Sequence, residues 1–201
     1  MFASFAEAIR ATTQPCTLLL LLPAIVMAIV TCGRWLAFAA ICVGAVLGGW
    51  LFVANVVALD GWQLQLSGAL VVIAIGLALI APAVRQLNWA ATSGAQAALA
   101  GVVTFVATLW WRPCIGAELG AILTGARTSV AGELPGITAY MLGTMVPVLA
   151  VVLVVRAIDP SPTAIRRIGW CASGVGLVVA AAMAAGRHDE LVTTLTRWTT
   201  S

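Results

Sequence analysis

Six apolar stretches, each about long enough to cross a lipid bilayer, constrain this chain more than any other feature of its sequence. They cover residues 16–31, 36–58, 66–84, 95–124, 137–157 and 168–186. A spanning helix needs about 20 predominantly apolar residues. Only 8% of the 201 residues are charged, against roughly a quarter in soluble domains. We therefore predict an all-α integral membrane protein, with six transmembrane helices in a single domain over residues 1–201.

The charged residues give weak information about partners and orientation. All ten basic residues are arginines, the net charge is +3, and no basic tract suited to nucleic acid is present. If the spans alternate, the loop arginines divide into two groups. One side holds Arg10, Arg127, Arg187 and Arg197, and the other holds Arg34, Arg85, Arg156, Arg166 and Arg167. Because arginine is enriched in cytoplasmic loops, the larger group predicts that both termini are extracytoplasmic.

The first apolar stretch also has a second interpretation. Arg10, followed by an apolar run, is typical of a secretory signal peptide. Pro23 interrupts that run, and cleavage would remove Cys16. We therefore expect a retained transmembrane helix.

An internal repeat divides the chain into two halves. The segment "QPCTLLLL" at 14–21 aligns with "RPCIGAEL" at 112–119, at an offset of 98 residues. Each half, about 1–93 and 94–201, then contains three spans. Because three is odd, the second half enters the bilayer from the opposite side, which predicts two inverted three-helix repeats.

Each proline-cysteine pair marks a place where a membrane helix is weakened. Pro15 precedes Cys16, and Pro113 precedes Cys114. Proline removes a backbone donor from a helix, and freed backbone groups at membrane depth are tolerated only inside the protein or beside a water-filled cavity. We therefore predict that helices 1 and 4 are broken at these pairs, and that the two cysteines meet near mid-depth.

Two pairs of glycines are spaced for close helix packing. The pairs are Gly44 with Gly48, and Gly116 with Gly120. Such spacing allows helix backbones to approach closely in a membrane. We interpret both as packing positions, and the second pair as a support of the cysteine site.

The five cysteines differ in their sequence context. Cys32, Cys42 and Cys171 lack a preceding proline, and we expect them to pack as small hydrophobic residues. Cys16 and Cys114 share the proline and the same place in each half, which predicts a pair that cycles between dithiol and disulfide. Such a pair exchanges two electrons through mixed disulfides. It requires no metal or organic cofactor.

Two ionisable residues lie beside Cys114 within the fourth stretch. Arg112 precedes the cysteine by two residues, and Glu118 follows it by four. Arg112 is placed to favour the thiolate. Glu118 either opposes the thiolate as a carboxylate, shuttles the thiol proton as a neutral acid, or neutralises Arg112 in a structural ion pair. The sequence leaves these roles open.

At "PCTLLLLLPA" and "RPCIGAELGAILT" the chain resembles the CcdA family and the membrane domain of DsbD, which are thiol:disulfide transporters of prokaryotic inner membranes. The resemblance implies that Cys16 and Cys114 form the reversible disulfide. It also implies a cytoplasmic thioredoxin as electron donor, an extracytoplasmic thioredoxin-like protein as acceptor, and use of the electrons in processes such as cytochrome c maturation. The family pattern carries a proline three residues after each cysteine, where this chain has Leu19 and Ala117.

Two other classes of function fit the same pattern of spans. The first is a permease for an ion or small solute, built on the same inverted repeats with a midplane site at Arg112 and Glu118. The second is a non-catalytic subunit that stabilises a larger membrane complex. Only the electron carrier requires both Cys16 and Cys114.

Overall fold

The computed structural model describes residues 2–12, 15–54, 89–109 and 117–158, with positions 161, 163–164, 167, 171 and 174 beyond them. Over these ranges the chain forms helices and contains no strand. The helices are α1 (Phe2–Ala11), α2 (Pro15–Val30), α3 (Trp35–Ala54), α4 (Trp89–Leu109), α5 (Ala117–Ala126), α6 (Val130–Thr144) and α7 (Val146–Ile158). The predicted all-α fold is confirmed for the described residues.

Among the residues that the structure describes, two segments are long and apolar enough to cross a membrane. They are α3, with 20 residues, and the 29-residue segment Val130–Ile158, in which α6 and α7 follow one another. The predicted second and fifth spans are therefore apolar helices over the residues described. The first and fourth stretches contain the shorter apolar helices Leu21–Val30 and Gly94–Leu109. The third and sixth predicted spans, 66–84 and 168–186, lie outside the described residues except at positions 171 and 174.

Helix α6 begins earlier than predicted, at Val130 instead of residue 137. The Ser129 side chain caps the helix by accepting a hydrogen bond from the Gly132 amide at 3.2 Å. Glu133 places a negative charge in the first turn, where the helix dipole favours it. The capping signal is polar, so a search for apolar residues alone starts the helix too late.

Helices α3 and α4 run in the same direction and are in close contact. Gly44 lies against the backbone of Gly101, and Gly48 lies against Phe105 and Thr108 further along the same helix. Residue numbers increase together along the two helices from one contact to the next, so the helices are parallel. The predicted packing role of Gly44 and Gly48 is confirmed.

Helix α3 runs opposite to α6 and α7. At the end of α3, Gly49 packs against Met141, and the Trp50 indole donates a hydrogen bond to the Thr138 hydroxyl at 2.8 Å. Before the start of α3, Gly33 packs against Val152 in α7. A rising number in one segment pairs with a falling number in the other, so the two segments are antiparallel.

Helix α1 has no counterpart among the predicted spans. Its ten residues would extend about 15 Å, which is too short to cross a bilayer. Ser4, Ala8 and Ala11 form its buried face at helical spacing. This face packs on α6, where the fully buried Tyr140 interacts electrostatically with Glu7.

Buried side chains form two clusters, one toward each end of α3. The first cluster comprises Leu21, Ala24, Met27, Ala28, Ile41, Ala45, Ala100, Val103, Met145, Val148 and Val152. The second cluster comprises Ala8, Ala11, Val53, Ala107, Leu119, Ile122, Ala126, Ile137, Tyr140 and Met141. Helix α2 therefore belongs to the first cluster, whereas α1 and α5 belong to the second.

Candidate functional site

The structure describes only some of the predicted site residues. Pro15 and Cys16 are the first two residues of α2. Arg112, Pro113, Cys114 and Gly116 lie outside the described residues, and so does the predicted break in helix 4. Glu118 lies in the first turn of α5, and the Gly120 carbonyl accepts a hydrogen bond from the Thr124 hydroxyl at 2.8 Å.

The backbone around Cys16 passes between the two buried clusters. Ala11, five residues before Cys16, belongs to the second cluster, and Leu21, five residues after it, belongs to the first. The neighbouring Thr17 is 1% exposed. Thr17 is therefore an interior position, and the interior location of Cys16 itself stays a prediction.

The described residues on both sides of Cys114 belong to the second cluster. Ala107 precedes Cys114 by seven residues, and Leu119 follows it by five. Helix α1, which leads to Cys16, packs directly against α5, which follows Cys114. The described helices before Cys16 and after Cys114, α1 and α5, thus contribute to the same buried cluster.

Two glycines make nearly identical contacts in different parts of the molecule. A Cβ atom at Gly48 would lie 2.8 Å from the Phe105 carbonyl oxygen and 2.7 Å from the Thr108 Cβ in α4. A Cβ atom at Gly143 would lie 2.8 Å from the Phe5 carbonyl oxygen and 2.7 Å from the Ala8 Cβ in α1. In both contacts the oxygen belongs to a phenylalanine, and the Cβ belongs to the residue three positions later.

The same two helices stand in similar positions relative to the cysteines. Helix α1 precedes Cys16 along the chain, and α4 precedes Cys114. Ser4 in α1 and Thr104 in α4, each one residue before the contacting phenylalanine, are both buried. The two cysteine sites therefore follow helices that pack in the same way.

The other three cysteines are thiols without a disulfide. Cys42 is half-buried and packs against the first cluster, as predicted. Cys32 and Cys171 are exposed, so the prediction that they pack is wrong. Cys32 occupies a turn with a φ of 55°, in the left-handed region.

The turn between α2 and α3 lies against the end of α7. Gly33, with a φ of 62°, approaches the Val152 carbonyl and the side-chain stem of Arg156. The Arg156 guanidinium lies over the Trp35 ring, 5.5 Å from its centroid. Arg34 and Arg156 therefore lie at one end of the helices, as the loop assignment predicts, while Arg127 lies at the other end of the segment Val130–Ile158.

Potential metal ligands do not gather in the described part of the chain. Over those residues, no group of three or more histidine, cysteine, aspartate or glutamate side chains lies close enough to hold an ion. The expectation of a site without a metal or organic cofactor remains a prediction.

The sequence patterns did not predict that Gly48 and Gly143 would make matching contacts. Phe5 and Phe105 are 100 residues apart, Gly48 and Gly143 are 95 apart, and the cysteines are 98 apart. A single offset cannot align all three pairs, because the connecting segments differ in length. The repeated F-x-x-[small] pattern was a signal, but only a search that allowed gaps would have found it.

Comparison of the chain with protein-family models, with curated proteins and with solved structures finds no match. The resemblance to the CcdA family and to DsbD therefore rests on the sequence motifs around Cys16 and Cys114.

Proposed function

We propose that this chain is a transmembrane thiol–disulfide electron carrier of a prokaryotic inner membrane. Cys16 and Cys114 would form its reversible disulfide. A cytoplasmic thioredoxin would donate electrons, and an extracytoplasmic thioredoxin-like protein would accept them, with cytochrome c maturation as one process they serve. Both termini would be extracytoplasmic.

The paired cysteines carry the chemistry of this proposal, and the matched contacts of Gly48 and Gly143 support its inverted-repeat architecture. An inverted repeat exchanges α3 with the segment formed by α6 and α7, and it exchanges α4 with α1. Helix α3 and the segment formed by α6 and α7 are antiparallel. Helices α4 and α1 are the two on which Gly48 and Gly143 pack. This pattern supports two inverted halves, in which Cys16 and Cys114 are equivalent positions.

The proposed reaction requires only the two thiols and the partner proteins. A thiolate of the donor attacks the disulfide between Cys16 and Cys114, forming a mixed disulfide and releasing one cysteine of the carrier. The second donor thiol then breaks the mixed disulfide. Two electrons and two protons thereby pass to the carrier, and the donor leaves oxidised. The reduced pair repeats the exchange with the acceptor's disulfide.

Glu118 keeps the roles that the sequence leaves open. It is the second described residue of α5. Replacement by glutamine tests the proton role, because the pH dependence of electron transfer should change only if Glu118 carries the thiol proton.

Labelling of thiols tests the proposal directly. In the oxidised protein, a bulky maleimide should modify two fewer cysteines than in the reduced protein. Cys16→Ser or Cys114→Ser should abolish electron transfer. In the native oxidised protein, the single thiolate of a monothiol thioredoxin should attack the Cys16–Cys114 disulfide and remain trapped as a mixed disulfide, releasing one carrier thiol. Cys42→Ser, which replaces a half-buried thiol of the first cluster, is the matched control and should retain turnover.

The same variants separate the electron carrier from the permease. A permease with its site at Arg112 and Glu118 should tolerate both serine substitutions and should lose transport in Glu118→Gln. An oxidised protein without a disulfide between Cys16 and Cys114, with electron transfer intact in both serine variants, would contradict the proposed function.

A further inference from the structure

We propose that the turn between α2 and α3, together with the end of α7, binds the phosphate headgroup of an anionic phospholipid. The site consists of Arg156, Trp35 and Gly33, with Arg34 beside them. It rests on the membrane embedding that the proposed function assumes, but it does not depend on the redox chemistry of the cysteines.

The Arg156 side chain is held in place by two contacts. Its stem lies against Gly33, where a Cβ atom would come within 3.0 Å of the Arg156 Cγ, and its guanidinium lies over the Trp35 ring. Gly33 permits this approach because it has no side chain and adopts a φ of 62°. The cation is thus fixed at the protein surface instead of moving freely.

The charge of Arg156 has no acidic partner among the residues that the structure describes. Its two described contacts are with the Gly33 backbone region and the Trp35 ring, and neither is an ion pair. A guanidinium carries five N–H donors in a planar arrangement that suits phosphate oxygens. An anionic headgroup is the complement of this arrangement.

The surface next to Arg156 is apolar and exposed. Trp35 is 50% exposed, and large apolar side chains on α3 and α7 extend from the same end of the two helices. These side chains are Leu36, Leu153, Val154 and Ile158. Tryptophan and arginine at the end of an apolar surface are typical of the boundary between headgroups and acyl chains. The acyl chains of a bound phospholipid would lie along this surface.

The location also predicts the side of the membrane. Arg34 and Arg156 belong to the larger group of loop arginines, which the sequence assigns to the cytoplasmic side. The cytoplasmic leaflet carries a negative surface potential that attracts basic residues. An anionic headgroup at this site would therefore favour the orientation with both termini extracytoplasmic.

The test uses full-length protein in vesicles that contain brominated phosphatidylglycerol or brominated phosphatidylcholine. Bromine quenches nearby tryptophans, and the difference between the native protein and Trp35→Phe isolates the contribution of Trp35. We expect half-quenching of Trp35 at an about fivefold lower fraction of the anionic lipid, the preference that one basic residue near a charged membrane surface provides.

Two arginine variants provide the contrast. Arg156→Gln should make the two lipids quench Trp35 equally, whereas Arg127→Gln, which alters an exposed arginine at the opposite end of the helices, should preserve the difference. Equal quenching by both lipids in the native protein, or a preference that survives in Arg156→Gln, would overturn the proposal. Thiol labelling in the same vesicles reports the cysteine disulfide independently, so failure of one proposal is distinguishable from failure of the other.

Discussion

A glycine packs closely against a neighbouring helix both where α3 meets α4 and where α6 meets α1. The first interface contains more such glycines than the second. Gly48 and Gly143 approach their partners at the same distances. The α3–α4 interface joins helices of 20 and 21 residues and contains Gly44 and Gly101 as well. Helix α1 has only ten residues and meets one glycine of α6. The α3–α4 interface therefore contains several close approaches, and the α1–α6 interface contains one.

This difference matters because lipid tails are as apolar as the helices. Within a bilayer, helix association depends on close packing and interhelical hydrogen bonds more than on the hydrophobic effect. An interface with three glycines should resist disruption of any single surrounding contact. An interface with one glycine should depend on that residue, and α1 leads directly to Cys16.

The largest effect is expected at Gly44 in the three-glycine interface. In Gly44→Val, the new side chain would overlap the backbone of Gly101, which cannot move without displacing α4. We expect the free energy of unfolding to fall by about 3 kcal/mol. Unfolding of the purified protein in mixed micelles, with increasing denaturing detergent, measures this loss.

The control for that experiment is Gly94→Ala in α4. No atom lies within 4 Å of the added methyl group, and alanine is favoured over glycine in a helix by up to about 1 kcal/mol. The variant should be as stable as the native protein or more stable. If Gly44→Val matched it, the close approach of α3 and α4 would not determine stability.

Gly143→Ala should weaken the single-glycine interface selectively. The added methyl group would meet the Phe5 carbonyl and the Ala8 Cβ, so α1 must shift at a cost of about 2 kcal/mol. Hydrogen exchange should accelerate in residues 2–11 and remain unchanged in α3. Gly132→Ala, at an exposed position whose nearest atom is 3.4 Å away, should leave both regions unchanged.

Ser129→Ala tests how much the cap at the start of α6 contributes to stability. The substitution removes the cap of the Gly132 amide and should destabilise the protein by about 1 kcal/mol. The measurement is again detergent unfolding. Ser129→Asp retains a capping oxygen and should preserve stability, so an equal loss in both variants would argue against a capping role.

The smallest effect is expected for the hydrogen bond that joins α3 to α6. A double-mutant cycle with Trp50→Phe and Thr138→Val isolates the bond from the Trp50 indole to the Thr138 hydroxyl. Interhelical hydrogen bonds in membranes couple by about 0.6 kcal/mol. The stability effects of Trp35→Phe and Thr138→Val should be additive. Trp35 lies at the start of α3, whereas Thr138 of α6 lies near the end of α3, so the two side chains do not touch.

Long apolar runs predicted the central helices well. The stretch at 16–31 corresponds to α2, and the stretch at 36–58 corresponds to α3 over the described residues. Backbone groups must bond internally in a bilayer, so a long apolar run has few alternatives to a helix. The small-residue spacing of Gly44 and Gly48 also predicted a close approach, although it did not name the partner.

The start of α6 and the whole of α1 show where the apolar pattern was insufficient. Ser129 and Glu133 are polar start signals that an apolar window ignores. Helix α1 is amphipathic, but its ten residues are too few for a search for spans of about 20 residues. Its neighbour is α6, where Ala8 packs against Gly143, more than a hundred residues away.

By itself the sequence determined the helical class, the approximate extent of α2 and α3, and the two proline-cysteine pairs on which the proposed chemistry rests. Local composition suffices for these features, because burial in lipid acts on each segment separately. Only the tertiary structure decided that α3 and α4 run parallel, that α1 is a helix, and that Gly48 and Gly143 make the same contact. Such features depend on which backbones can approach one another, and this is a property of pairs of segments that no single segment encodes.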